Sequence, residues 1–535
     1  MYQSLLEGSV MANTSNKGTS TPAKAWKKLS QNEIAILLLF LGVIFGAWFR
    51  LSLAARSDFP VGDGGLFYVM IRTIQENGYR LPEFISYNGL SIPFTYPPLA
   101  FYLVGMVADI FGVPLIDVMR WFPAIILVIT LPFVYLLANS LLRAPLKAGL
   151  AVFIFALLPR SVTWLIKGGG VTRSVGQLIL ILSTVSLFFL FKSRERKYLA
   201  PSILLSSLVC ITHPEAALHT AGFGLILWLF YGRNKEGVYH AALTAIGTFV
   251  STSIWWLPTI SHHGFSPFLN AAQTGFNNPV YYITPFFLSI TDEPFLPIIT
   301  LLAVIGFTAQ AVKREFLFPA LYVFPFLVEP RNAPNVAIIS TAILAAIALT
   351  DVLLPAIASL STKPGIMNNS EFLNTGAEKF LFIYLTSIML IGMLLFTLEL
   401  REEYLAVKHR KAFEWIKNNT PMENSSFLVI TNRIDSLSDP VNEWFPVLTN
   451  RASLTTLQGY EWVENGGFSE RILFLGQIQD CDSTECIETS MEENGTPYNY
   501  IYIPNSETRL ALELRNTAGY QLVYEKDGIQ IYQKH

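Results

Sequence analysis

The chain has 535 residues, 52% hydrophobic and only 14% charged, with a formal net charge of -2. Soluble domains carry roughly a quarter charged residues, so this deficit, with a mean hydropathy of +0.43, excludes an ordinary soluble protein. The near-neutral balance and the lack of a basic block exclude a nucleic-acid surface, and three cysteines exclude a disulfide-framework fold.

Residues 1–30 are rich in Ser, Thr, Asn and Lys and read as a disordered tail. The polar tail makes the first apolar run a signal-anchor, not a cleavable signal peptide. A spanning helix needs about 20 mostly apolar residues. Candidate runs lie at 34–54, 120–142, 148–164, 174–191, 199–213, 217–231, 238–258, 294–312, 316–328, 335–355 and 379–398. They predict a mainly α chain: a polytopic helical membrane domain over 31–400 with about 11 spans.

Orientation follows from Lys and Arg in short loops. Lys17, Lys24, Lys27 and Lys28 precede the first span; Arg143 and Lys147 follow the second. Lys192, Arg194, Arg196 and Lys197 follow the fourth, Arg233 and Lys235 the sixth, Lys313 and Arg314 the eighth, and Lys363 and Lys379 precede the last. Every second loop is basic and therefore cytoplasmic, with the N-terminus inside. This register holds only if the apolar stretch 97–112 does not cross, so it reads as a helix in the outer interface.

The outward loops hold the unusual polar residues. The first, 57–119, carries Asp58, Gly62-Asp63-Gly64-Gly65 and Glu83. From Leu66 to Gln75 the spacing is helical, with Leu66, Met70 and Ile74 on one face, and Gly78 ends it. Such a helix lies along the membrane surface and puts Asp63 at its positive end. Asp63 between glycines is a candidate catalytic carboxylate or, alternatively, a turn or cap residue. Lys167-Gly168-Gly169-Gly170-Val171-Thr172-Arg173 reads as an anion site of amides and cations, or as a flexible loop with two solvated cations. His213, Glu215 and His219 sit at a membrane boundary, where ionisable groups are costly and often functional; the other reading is a pair that fixes packing. Arg331 can hold a phosphate through its fork, or pair with Glu329.

From about Arg401 the apolar runs stop. Residues 404–419 read as a helix, and 427–431, 500–504, 521–525 and 529–533 as strands, with Lys526-Asp527-Gly528 a hairpin turn. Residues 401–535 thus form a small α/β domain outside the membrane, where Cys481 and Cys486 can close a disulfide loop. Asn442-Glu443-Trp444 and Gly459-Tyr460-Glu461-Trp462 suit carbohydrate if exposed; the alternative is domain core.

Gly62-Asp63-Gly64-Gly65 before an amphipathic helix, Tyr96-Pro97-Pro98-Leu99-Ala100-Phe101-Tyr102, and Arg120 opening a long span together resemble the polytopic glycosyltransferases of the C superfamily (GT-C). That group includes protein O-mannosyltransferases, the aminoarabinose transferase of lipid A and oligosaccharyltransferases. The resemblance implies transfer of a sugar from a polyprenyl-phosphate-linked donor, with inversion, to a glycan, lipid or protein acceptor at the outer face of the cell membrane. It makes Asp63 the catalytic base. Lys167, Arg173, His213 and Arg331 are the donor-phosphate groups, because a leaving phosphate gathers charge that fixed cations stabilise. Asp58, Glu83, Glu215 and His219 are secondary candidates. Asp63 is followed by Gly64, not by a second acidic residue, so a divalent metal is left open. A secondary transporter or a non-catalytic polysaccharide-assembly protein are the competing readings.

Overall fold

A computed structural model of the protein describes residues 29–535 except 169, 274–278, 362–371, 374, 401–402, 424, 434–437 and 464–466. Nearly all of the N-terminal tail, and Lys363, lie outside the described residues.

The helices in the first three-quarters of the chain are α1 (Gln31–Arg56), α2 (Gly65–Glu76), α3 (Leu99–Phe111), α4 (Leu115–Leu142), α5 (Pro145–Ala156), α6 (Thr163–Ile166), α7 (Gly170–Ser193), α8 (Leu199–Cys210), α9 (Pro214–Tyr231), α10 (Lys235–His263), α11 (Ser266–Gln273), α12 (Ile298–Val312), α13 (Leu317–Val328), α14 (Ala333–Ala348), α15 (Leu354–Ser361) and α16 (Gly376–Leu400). A hairpin of β1 (Phe84–Tyr87) and β2 (Leu90–Pro93) lies between α2 and α3. Among the described residues, α1, α4, α7, α10, α14 with its continuation into α15, and α16 are long and apolar enough to cross a membrane. The chain is a multi-pass membrane protein. Every expected apolar run overlaps a helix, but α8, α12 and α13 have only 12 to 15 residues.

α7 and α14 form the centre of the bundle: 83% and 78% of their apolar windows are buried, against 33% for α1, α4 and α16. α1 starts at a reciprocal cap, with Ser30 Oγ accepting from the Glu33 amide and the Glu33 carboxylate accepting from the Ser30 amide. The run expected as one span over 148–164 is broken. It bends by 86° between α5 and the segment Pro159–Ile166, because Pro159 has no amide hydrogen to continue the helix. Arg50, fully buried on α1, reaches this break. Its guanidinium donates to Ala156 O (2.8 Å) at the end of α5 and to Ser161 Oγ (2.7 Å) beyond it. A cation is favoured at a helix C-terminus. Arg50→Met should therefore leave a buried carbonyl unpaired and cost about 2–3 kcal/mol. Thermal unfolding in detergent checks this: the variant should melt below wild type, and Arg50→Lys should recover part of the loss.

The last quarter contains α17 (Val407–Asn419), β3 (Ser426–Val429), α18 (Pro440–Thr449), β4 (Ala452–Ser453), α19 (Phe468–Asp480), α20 (Thr484–Asn494), β5 (Tyr500–Ile503), α21 (Arg509–Leu514), β6 (Tyr520–Lys526) and β7 (Ile529–Lys534). The sheet order is β4-β3-β5-β7-β6. β3 is parallel to β4 and β5, and β7 is antiparallel to β5 and β6. The expected turn at Asp527-Gly528 is there, with both φ angles positive (53° and 78°), as a two-residue hairpin loop requires. Cys481 and Cys486 form a disulfide.

α2 does not lie bare on a membrane surface as its amphipathicity suggests. Leu66, Met70, Ile71 and Ile74 are buried in a cluster that also holds Phe101 and Val104 of α3 and Val441, Trp444 and Phe445 of α18. α2 is therefore sandwiched between the α3 region and the last quarter of the chain. α3, at 13 residues, is shorter than a span, with Ile110 and Phe111 exposed at its far end.

Candidate active site

The loop before α2 is shaped by close backbone approaches. Gly62 (φ 69°) and Gly64 (φ 132°) adopt conformations that disfavour side chains. Gly168 packs so tightly against this loop that a Cβ there would overlap the carbonyl oxygen of Asp63, while its amide donates to Val61 O (2.9 Å). The glycine at 168 thus serves backbone packing against the Asp63 loop, and the expected amide nest for an anion is not its function. Gly168→Ala should push the loop away and lower activity by about 100-fold or more, a misplacement of roughly 1 Å being enough. Turnover assayed alongside a folding check by gel filtration tests it; wild-type activity would contradict the packing argument.

The acidic side chain that caps the start of α2 is Glu443, brought from α18 and only 3% exposed. Its two carboxylate oxygens accept from the amides of Gly64 (2.9 Å) and Leu66 (3.1 Å). These are unsatisfied donors of a helix N-terminus, and Gly64 itself offers no side chain to cap them. The contact is close enough that a Cβ on Gly65 would lie 2.6 Å from Glu443 O. Tyr87 Oη donates to Glu443 O (2.8 Å) and Trp444 Nε1 to Gly62 O (3.3 Å), completing the clamp. Burial, and then the charge of Asp63, push the Glu443 carboxyl well above its ordinary range, against the two amide bonds that pull it down. Trp444 is fully buried, so this segment is core and not an exposed carbohydrate platform.

Asp63 is half-buried beside this clamp. Tyr87 carries the combined influence of Glu443, Glu461 and Asp63, which with burial raises its hydroxyl pKa. Glu461 is raised by burial and lowered by the field of Arg331. Tyr96 stacks edge-on with Trp462 (5.9 Å) and approaches His213 (6.5 Å), and its hydroxyl shares a hydrogen bond with Thr172 (3.1 Å). Arg173, Glu215 and Glu461 all act on Tyr96. The structure therefore gathers Asp63, Arg173, His213, Glu215 and Arg331 around Tyr87, Tyr96 and Glu461.

The expected phosphate groups are not equivalent. Lys167 is buried and paired with Glu403 (2.5 Å), with its ammonium over the Trp164 ring (4.4 Å), so its charge is already matched. Arg173 donates weakly to Trp164 O (3.4 Å). His213 caps α9: its Nδ1 accepts from the Ala216 amide (3.2 Å). With Nδ1 accepting, the ring hydrogen sits on Nε2, so the side chain is a neutral Nε2–H donor and not a cation. Glu329 does not pair with the Arg331 guanidinium. Its carboxylate accepts the amides of Arg331 (3.1 Å) and Asn332 (2.9 Å), which leaves that side chain turned to Glu461's field.

Among the secondary candidates, Asp58 is tied to Arg410 (2.5 Å). Glu83 is exposed, 3.8 Å from His262. Glu215 accepts from Asn332 Nδ2 (2.7 Å), and His219 lies 3.7 Å from Glu329 behind it. Among the described residues no three or more His, Cys, Asp or Glu converge as metal ligands. Both carboxyl oxygens of Glu443 are engaged by amides, so Glu443 is not placed to ligate a metal beside Asp63, and no step below runs through one. Sequence reasoning missed Glu443 as a site residue; its signal was an acidic residue amid apolar neighbours in Val441–Phe445.

No family model matches the chain, and no curated protein is similar to it. Solved structures are similar. The Archaeoglobus fulgidus oligosaccharyltransferase tethered to an acceptor peptide matches at 13% identity and TM-score 0.56, over 94% of this chain and 74% of that one; the same protein has been solved with zinc and sulfate. ArnT from Cupriavidus metallidurans bound to undecaprenyl phosphate matches at 15% identity and TM-score 0.52, over 93% and 97%. The mycobacterial arabinofuranosyltransferase AftD matches at 13% and 0.52, over 95% of this chain but 40% of that one. At such identities the likeness shows the fold alone: the chain shares the overall fold of these solved structures.

Proposed function

We propose that the protein is a membrane glycosyltransferase that moves a sugar from a polyprenyl-phosphate donor to an envelope acceptor on the extracytoplasmic face. The observation that supports this is a half-buried carboxylate, Asp63, in a loop clamped by Glu443, with Arg173 acting on Tyr96 and Arg331 on Glu461 nearby. The acceptor hydroxyl attacks C1 of the sugar and gives its proton to Asp63. The C1–O bond to phosphate breaks through an oxocarbenium-like state, and the polyprenyl phosphate leaves with the bonding electrons. Arg331 and Arg173 stabilise that departing charge. His213 adds a neutral donor, and the positive ends of α7, α9 and α14 point to the same region. Lys167 orders the loop through Glu403. The related structure with undecaprenyl phosphate makes such a lipid a reasonable donor for this fold.

In this reading residues 1–30 are a cytoplasmic tail, 31–400 cross the membrane 11 times, and 401–535 are extracytoplasmic. The alternating basic loops support that orientation, and the Cys481–Cys486 disulfide suits an oxidising compartment. The test is a proteoliposome assay with radiolabelled polyprenyl-phosphate sugars and an envelope extract as acceptor. Label should leave the lipid and enter the extract only with the protein present. Retention of label in the lipid for every common sugar would overturn the proposal.

A further inference from the structure

A second polar pocket opens between α7, α9 and α14, with Arg173 and His213 at its rim. Its interior holds Gln177, His219 and Asn335, each at most 6% exposed. Among the described residues, Gln177 Oε1, Asn335 Oδ1 and both ring nitrogens of His219 lack hydrogen-bond partners. Buried polar atoms are rarely left unpaired, because each costs free energy. The amide orientations are fixed by their neighbours. Asn332 Nδ2 donates to the Glu215 carboxylate (2.7 Å), so its Oδ1 must face Asn335 Nδ2 (3.5 Å). Gln177 Nε2 donates to Asn335 O (3.1 Å). Two carbonyl oxygens are therefore aimed at a space that needs donors.

A phosphate oxygen accepts and does not donate, so it would leave both carbonyls unpaired. A hydroxyl donates one hydrogen, which the neighbouring Gln177 and Asn335 carbonyls can share, and accepts from a His219 N–H. The space is about 30 Å³, room for about two water-sized groups. That fits the carbon and oxygen of one hydroxymethyl arm and is too small for a phosphate.

We infer that this pocket receives the exocyclic hydroxymethyl group of the donor sugar, and so selects a hexose over the matching pentose. The inference rests on the donor reading above. Gln177 and Asn335 accept the hydroxyl proton or are bridged by it, His219 donates to its oxygen, and Arg173 at the rim stays with the phosphate.

The test uses the full-length protein in nanodiscs and measures binding of five probes by tryptophan fluorescence. These are a bare C55 polyprenyl phosphate, its glucose and mannose conjugates, and the xylose and lyxose conjugates, which lack only the hydroxymethyl group. Wild type should bind at least one hexose lipid about fivefold or more tighter than its matched pentose, the worth of one hydrogen bond. Gln177→Met and, separately, Asn335→Leu should erase that difference and leave bare lipid phosphate binding unchanged. Equal binding of both sugars of each pair by wild type, the result of a pocket that only holds water, overturns the inference while the donor reading stands. A preference that survives both variants also overturns it. Failure of wild type to bind any probe, bare phosphate included, overturns the donor reading and this inference with it.

Discussion

Asp63→Asn is expected to lower sugar transfer by about 100- to 10,000-fold, the range for loss of a positioned base, with polyprenyl phosphate binding unchanged. Asn keeps the shape of the side chain and the glycine-bounded loop but cannot take the acceptor's proton. Release of polyprenyl phosphate from a labelled donor in proteoliposomes measures it, and turnover near wild type would remove Asp63 from the mechanism. A second readout separates lost chemistry from lost folding. Asp63 destabilises the ionised form of buried Glu443, so the neutral variant should melt slightly above wild type. Stability gained as activity is lost is the usual mark of an active-site charge.

Glu443→Ala should do the reverse, lowering both. It strips two buried amides, those of Gly64 and Leu66, of their acceptors, at about 1–3 kcal/mol for each unsatisfied group. The loop carrying Asp63 then loses its fixed geometry, and activity should fall about 100-fold. Glu443→Gln keeps one acceptor oxygen and should recover part of both losses. The clamp also has a pH signature. The folded-state pKa of Glu443 is raised, so the folded protein holds this proton where the unfolded chain has released it. Its contribution is fully present below the unfolded value and is lost as pH rises from about 4.5 through the raised folded value. Wild type should gain in melting temperature over Glu443→Gln as the pH is lowered through that window. A constant difference across it would mean that Glu443 does not change its protonation there.

Much of this architecture was legible in the sequence because apolar runs and alternating strands report local burial. The four expected strands and the expected helix of the last quarter fell where period and turn chemistry put them, β4 and four further helices being additional, and Asp527-Gly528 set the hairpin. The β1–β2 hairpin was not foreseen, although Asn88-Gly89, with φ of 52° and 74°, is the strongest short-range turn signal there is; a loop already read as polar hid it. The bend at Pro159 was likewise visible in the residue and overlooked in the run of hydrophobicity around it. The site divides differently. Asp63 stands out as a candidate from its own neighbours. The pairing of Glu443 with the Asp63 loop does not, since its partners are 379 and 377 residues away and no local pattern encodes such a contact. Gly168 shows why such a run is ambiguous: a residue without a side chain can admit a ligand or a neighbouring backbone equally well, and here it admits the Asp63 backbone.

That long-range clamp also sets a time. A ribosome adds about 5–20 residues per second, so about 20 seconds to somewhat over a minute separates synthesis of Gly64 from that of Glu443, 379 residues on. For much of that interval the first helices have been made while the Asp63 loop is still unheld. On the proposed function, full turnover then waits until the last quarter has been made and docked, so completion of the chain acts as its start signal.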